Sequence, residues 1–179
     1  MNLSELFEKR RSIRAYDANK KVTKEQIEEI ILAAGQAPSW KNSQTGRYYV
    51  IMSEEVLERF KAECLAEFNA KNCADAPVLI VTTFVKNRAG FTREGVAENN
   101  MGNCWGAYDL GLQNENLVLK AAEMGLDTLI MGIRYEDRIR EMLDIPETEE
   151  IAAVISLGYR VSEPVAPKRK EVSEITKFY

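Results

Sequence analysis

The chain has no histidine in 179 residues, and that absence removes whole classes of chemistry. Ser-His-Asp and Cys-His hydrolysis need an imidazole to carry the proton, and the H-E-x-x-H metal motif needs two. Cysteine is scarce: Cys64, Cys73 and Cys104 are odd in number and form no C-x-x-C pair, which argues against a disulfide framework and against a structural zinc site. No apolar run approaches the roughly 18 residues of a membrane-spanning helix, while 45% hydrophobic and 29% charged residues fit a soluble globular chain rather than a disordered one. No G-x-G-x-x-G or G-x-x-x-x-G-K-[ST] follows any strand-like run, so a bound phosphate must be held by side chains. The start, Met1-Asn2-Leu3-Ser4-Glu5-Leu6, lacks the basic and apolar regions of a secretory signal, so a cytoplasmic location is expected. A net charge of −4 argues against a nucleic-acid scaffold. Proton or electron chemistry is left to carboxylates, Lys, Tyr, Cys or a bound cofactor.

With five prolines and ten glycines, no linker, repeat or low-complexity tract breaks the chain before about residue 160, and one domain with a sizeable core is expected. Leu3, Leu6 and Phe7 predict a helix over 3–10. Thr23-Lys24-Glu25-Gln26 is a capping box opening a second helix with Ile27, Ile30, Ile31 and Ala34 inward and Gly35 as its stop. Tyr48 to Met52 reads as a strand. Ser53 then starts a helix whose apolar face is Val56, Phe60, Cys64 and Phe68. Val78 to Val85 predicts a central strand buried on both faces. A long helix spans about 103–124, with Leu110, Asn114, Leu117 and Ala121 on one face and Gly125 as a stop. A strand at 127–131, a helix at 137–143 and a strand at 152–159 follow. The acidic run Glu147-Thr148-Glu149-Glu150 reads as solvated surface. Beyond Arg160 the chain loses periodicity and becomes an extended arm, which stays ordered only by lying on something. The alternation of helix and strand, taken naively, suggests a parallel doubly wound sheet.

Three features carry chemistry. Arg10-Arg11-Ser12-Ile13-Arg14 concentrates guanidinium groups beside a hydroxyl, and guanidinium forks match phosphate oxygens bidentately; alone, it is more simply a solvated basic helix end favoured by the macrodipole. Arg10 and Arg14 share a face if the helix continues. Ala37-Pro38-Ser39-Trp40-Lys41-Asn42-Ser43-Gln44 crowds donors and acceptors into a Pro-bounded turn suited to the edge of a planar heterocycle, although ordinary loops contain the same residues. Leu129 to Arg134 is a strand ending at Gly132, where a flat ligand can approach a main-chain N–H closely. Trp105 and Tyr108 read as packing residues, and Cys104 as an inert thiol.

Taken together, Arg10 to Tyr16, Ala37-Pro38-Ser39-x-x-Asn42-x-Gln44, the Gly132 turn, and Gly158-Tyr159 followed by a basic tail resemble the nitroreductase family of FMN-dependent oxidoreductases, in order and spacing along essentially the whole chain. The resemblance implies an α+β homodimer with a mixed, largely antiparallel sheet flanked by helices. It implies an FMN-binding domain over 1–160 and a C-terminal arm over 161–179 packed on the partner. Two FMN sites would lie at the dimer interface. Arg10, Arg11, Ser12 and Arg14 resemble the family's first flavin-binding segment, and Lys168 and Arg169, with Lys170 beside them, its C-terminal phosphate contacts. Pro38, Ser39, Trp40 and Asn42 match the segment that reaches the flavin from the other subunit. Met131 and Gly132 match the turn whose backbone N–H faces flavin N5, and Asn69 resembles a residue bonded to the isoalloxazine edge. Two departures concern substrate rather than flavin: Gln44-Thr45-Gly46-Arg47 replaces the Gln-Pro-Trp of many members, and Met131 stands where one branch has Glu.

The implied activity is ping-pong. NAD(P)H passes hydride to a tightly bound FMN, leaves, and is replaced by a small acceptor such as a nitroaromatic, quinone or activated alkene, with no nucleic acid, membrane or metal involved. Arg14 is the candidate catalytic residue, a cation near the N1/C2=O edge of the reduced flavin. The competing readings are a non-catalytic flavin sensor or carrier, a reductive dehalogenase or flavin-fragmenting enzyme of the same family, and an interaction protein whose basic tail meets acidic partners.

Overall fold

The structure, a computed structural model, describes residues 2–179. Four strands, β1 (Gly46–Ile51), β2 (Val78–Val85), β3 (Asp127–Met131) and β4 (Glu149–Gly158), form one sheet in the order β1-β2-β4-β3. All three strand pairings are antiparallel. The parallel doubly wound arrangement suggested by helix and strand alternation is therefore wrong. Among the described residues, only the Ser12–Thr128 bridge, which lays the N-terminal segment along β3, runs parallel. Seven helices surround the sheet: α1 (Leu3–Lys9), α2 (Lys24–Ala34), α3 (Glu54–Cys64), α4 (Glu67–Asn72), α5 (Cys104–Glu123), α6 (Glu136–Leu143) and α7 (Val172–Ile175).

The continuous apolar run of β2 divides between two cores by the two-residue period of a strand. Val78 and Ile80 join Ile30 of α2 and Leu117 and Ala121 of α5 on one face, whereas Leu79 and Val81 join Phe60 of α3 and Ile139 of α6 on the other. A strand covered by helices on both sides needs no polar face. The two helices on the first face are fixed at their ends by different devices. For α2, the Thr23 hydroxyl accepts from Gln26 N–H at 3.2 Å, and Thr23 N–H donates to Gln26 Oε1 at 2.9 Å. Gly35 closes that helix in a right-handed conformation (φ −63°), whereas Gly125 ends α5 at φ +76°, where a side chain would be strained.

Two expectations need correction. The helix expected to carry Phe68 inward stops at Cys64. Leu65 is extended, is buried in the second core, and bridges to Arg134. A long-range strand-like pairing thus overrides helical periodicity. The new helix α4 buries Asn69 and leaves Phe68 half exposed. The acidic run at 147–150 is not all solvated, because β4 begins at Glu149. Its buried carboxylate accepts from the Tyr49 hydroxyl at 3.0 Å and from the Thr83 hydroxyl.

Helix α5 lies close against β2 at Gly106, where an added Cβ would meet the Phe84 ring at 2.3 Å. Gly106→Ala is expected to lower the unfolding free energy by about 1–3 kcal/mol, the usual cost of overpacking, despite alanine's better helix propensity. Urea unfolding checks this.

Candidate functional site

Helix α1 ends at Lys9 because Arg10 is already extended (φ −61°, ψ 123°), so Arg10 and Arg14 do not share a helix face. The segment continues as a strand-like ribbon. Ile13 N–H donates to Thr128 O at 3.0 Å, and Asp17 N–H to Tyr159 O at 2.8 Å. An extended backbone sends alternate side chains to opposite sides; Ile13 is buried, and Ser12 and Arg14 on either side of it are exposed. The alternation covers Ser12 to Arg14; Ala15 is exposed and the next inward residue is Tyr16. The Tyr16 hydroxyl locks the far end, sharing a 2.8 Å hydrogen bond with Ser156 Oγ, and its burial pushes the phenol pKa up.

Among the described residues, the Arg10 and Arg14 guanidiniums form no ion pair. Arg11 folds back onto the end of α1, donating from Nη1 to Arg10 O at 2.6 Å and to Phe7 O at 3.2 Å. Its buried Nε has no partner. Buried donors are nearly always satisfied, so an unmet N–H beside unpaired cations suits an anion.

Beyond Arg14, the ribbon borders a cleft of about 330 Å³ formed by the end of β3 and by α4. Arg14, Asn69, Met131 and Gly132 all line it, together with the apolar Phe68 and Ile130. Asn69 Nδ2 donates to Ile133 O at 2.8 Å, holding the turn after β3. The Met131 side chain is in the core, leaving its backbone to the cleft. At Gly132 a Cβ would meet nothing within 4 Å, so the open space over this backbone lies toward a ligand rather than toward packing.

The polar turn makes a second site. A short 3-10 turn, Trp40–Asn42, precedes β1, and Lys41, Asn42 and Gln44 all have positive φ (47°, 55° and 48°). Non-glycine residues in that region are uncommon, and clusters of them mark functional sites. The strained turn is held from outside. Asp109 of α5, 3% exposed, accepts from Trp40 N–H at 2.8 Å, and Gln44 N–H donates to Ser39 Oγ at 3.1 Å. The Trp40 ring packs on Trp105 with centroids 4.6 Å apart, and Trp105 on Tyr108 at 5.6 Å. Trp40 and Asn42 line a cavity of about 370 Å³ that shares no residue with the cleft at Gly132.

Residues 7–159 match the sequence model of the Nitroreductase family. The chain belongs to the nitroreductase family. It is 28% identical over 158 residues to an Archaeoglobus fulgidus protein provisionally named NADH dehydrogenase/NAD(P)H nitroreductase, covering 86% of this chain and 83% of that one. Among solved structures, a nitroreductase family protein from Clostridium difficile superposes with a TM-score of 0.80 at 27% identity over 99% and 98% of the two chains. A protein from Exiguobacterium sibiricum, provisionally named a nitroreductase and solved in complex with FMN, gives 0.81 at 26% identity over 100% and 98%.

Within this nitroreductase-family chain, the expected site residues fall into three groups. Arg14, Asn69, Met131 and Gly132 share one cleft, while Arg10, Arg11 and Ser12 precede Arg14 on the ribbon, where Ser12 bridges to Thr128 of β3, and do not line the cleft. Pro38, Ser39, Trp40 and Asn42 belong to the strained turn. Lys168 and Arg169 lie on the exposed arm and form no hydrogen bond or ion pair among the described residues. Residues that the sequence reading missed include Asp109, which braces the turn, and Arg88, Phe91 and Arg93, which line its cavity. No helix among the described residues is long and apolar enough to cross a membrane.

Burial raises the Asp109 pKa, only partly offset by the Trp40 N–H. The folded protein therefore holds this proton to higher pH than the unfolded chain, and the stability contribution of Asp109 falls as pH rises from about 4, the unperturbed range, through the raised value. Asp109→Asn keeps an acceptor for Trp40 and removes that titration. The difference in unfolding free energy, D109N minus wild type, is expected to become more positive with rising pH and then level off. Urea unfolding across this pH range measures it.

Proposed function

We propose that this chain is an FMN-dependent NAD(P)H oxidoreductase that works by ping-pong turnover through flavin to nitroaromatic, quinone or activated-alkene acceptors. The observation that carries the reading is the cleft at the end of β3, where Arg14, Asn69 and the Gly132 backbone meet, on the chain segment that also carries Arg10 and Arg11, neither of which has an ion pair among the described residues. These residues fit FMN. Cations are available for its phosphate, and apolar Phe68 and Ile130 suit a flat ring. A side-chain-free residue leaves close backbone approach open at Gly132. When bound, the flavin supplies the hydride and electron transfer.

The chain's own residues bind and orient. Arg10, Arg11 and Ser12 hold the phosphate with Lys168 and Arg169. Asn69 fixes the turn through Ile133 O, which aims the Met131–Gly132 backbone into the cleft. Arg14, which lines the cleft, would supply positive charge toward a bound flavin, and preorganised charge of that kind would stabilise negative charge that develops on it. Pro38, Ser39, Trp40 and Asn42 complete the site from the partner in a homodimer, with residues 1–160 as the flavin-binding domain and 161–179 as an arm across the partner. That arm supports the dimer reading: Val165 and Phe178 are 94% and 90% exposed, an uncovered apolar surface that a second copy would cover. A cytoplasmic enzyme with a small-molecule acceptor follows from the same reading.

Anaerobic addition of NADH or NADPH to FMN-loaded protein is expected to bleach the visible flavin absorbance, and subsequent addition of a quinone to restore it. Flavin that stays oxidised with both nucleotides overturns the reductase reading in favour of a flavin carrier.

A further inference from the structure

The cavity beside the strained turn carries a feature that the flavin-binding reading does not use. Arg88 and Arg93 line it together with Trp40, Lys41, Ser43 and Phe91. Lys41 is already neutralised, with Nζ 2.7 Å from both carboxylate oxygens of Glu98. Neither Arg88 nor Arg93 has an ion pair or a side-chain hydrogen bond among the described residues. Among the described residues, the Trp40 Nε1 and Ser43 Oγ atoms are buried behind this lining and have no partner. Two arginines without ion pairs and two aromatic residues thus line about 370 Å³, a volume within the usual range of small-ligand pockets.

We propose that this cavity is a specificity subsite for planar aromatic acceptors bearing a carboxylate, with Arg88 and Arg93 as the anion-binding residues. Guanidinium groups pair with carboxylates bidentately and stack on aromatic planes. The Trp40 and Phe91 rings supply surface for the ring of the acceptor. The inference deepens the oxidoreductase reading and rests on it for turnover, but not for binding. It assigns the acceptor class: aryl carboxylates over their neutral counterparts.

The chain's two tryptophans make the test direct, because Trp40 lines the cavity and Trp105 packs on it. Quenching of intrinsic fluorescence by 4-nitrobenzoate and by neutral 4-nitrobenzamide, corrected for absorbance, is expected to show tighter binding of the carboxylate. The R88A/R93A variant should lose about 5- to 30-fold of the nitrobenzoate affinity, a range reduced for solvent exposure, with nitrobenzamide unchanged. Charge reversal in R93E should weaken nitrobenzoate further, and far-UV circular dichroism monitors the fold of both variants. In turnover with NAD(P)H, KM for 4-nitrobenzoate should rise in R88A/R93A while kcat holds. Equal binding of the two probes, or an affinity insensitive to both variants, overturns the subsite. Arginine-dependent binding of adenosine 2',5'-bisphosphate that exceeds that of nitrobenzoate assigns the cations to a nucleotide phosphate and overturns it too. Arginine-dependent nitrobenzoate binding without any flavin reduction supports the subsite and removes the reductase reading alone.

Discussion

Replacing Arg160 by methionine is expected to lower the unfolding free energy by about 3–5 kcal/mol, because it strands a buried carboxylate. Asp127 opens β3 with only 7% of its surface exposed. It accepts from Arg160 N–H at 3.0 Å and from Arg160 Nε at 2.9 Å, with Nη2 on the same oxygen. Methionine keeps much of the stem's apolar contact, so the loss is electrostatic. A second variant separates the effects: D127L/R160M removes both charges and is expected to recover most of the stability, since a buried pair often contributes little net against an apolar replacement. Urea unfolding of wild type, single and double variants measures the difference. A double variant as unstable as R160M would mean that Arg160 acts through packing. The change reaches the candidate site, because Arg160 Nη2 also donates to Lys9 O at 3.3 Å, where the ribbon bearing Arg10 to Arg14 begins.

Removing both Arg10 and Arg11 is expected to weaken FMN binding by roughly tenfold to more than a hundredfold per arginine, from about 1.5–3 kcal/mol for each charge-assisted contact. Neither side chain has an acidic partner among the described residues, so the substitutions break no internal ion pair and stability should stay near wild type. Titration of FMN fluorescence against R10A/R11A, with K168A/R169A beside it, apportions the phosphate contacts between the two ends of the chain. Unchanged affinity in R10A/R11A would move the phosphate away from the N-terminal ribbon.

Much of the scaffold is legible in the sequence where the signal is local. The Thr23–Gln26 capping box, the apolar face of α5 and the doubly buried β2 each declare themselves within a dozen residues, and the structure places all three as expected. Strand direction is different, since it depends on which distant segments pair. Helix and strand alternation pointed to parallel strands, and only the likeness of Arg10 to Tyr16, the Asn42 turn and the Gly132 turn to a known family corrected it. Leu65 eluded the periodicity argument because its reward is a bridge to Arg134, 69 positions later. Asp109 eluded motif reading for a related reason: its role is to hold another segment's N–H, and no spacing within α5 encodes that.

The three left-handed residues near Trp40 also limit how this part of the chain can vary. Asparagine, aspartate and glycine meet the least resistance at positions 41, 42 and 44, whereas a β-branched residue at any of them would push the backbone out of shape and carry the indole with it. A mutational library aimed at new acceptors is therefore better spent on positions 88, 91 and 93, which border the same cavity at ordinary backbone angles.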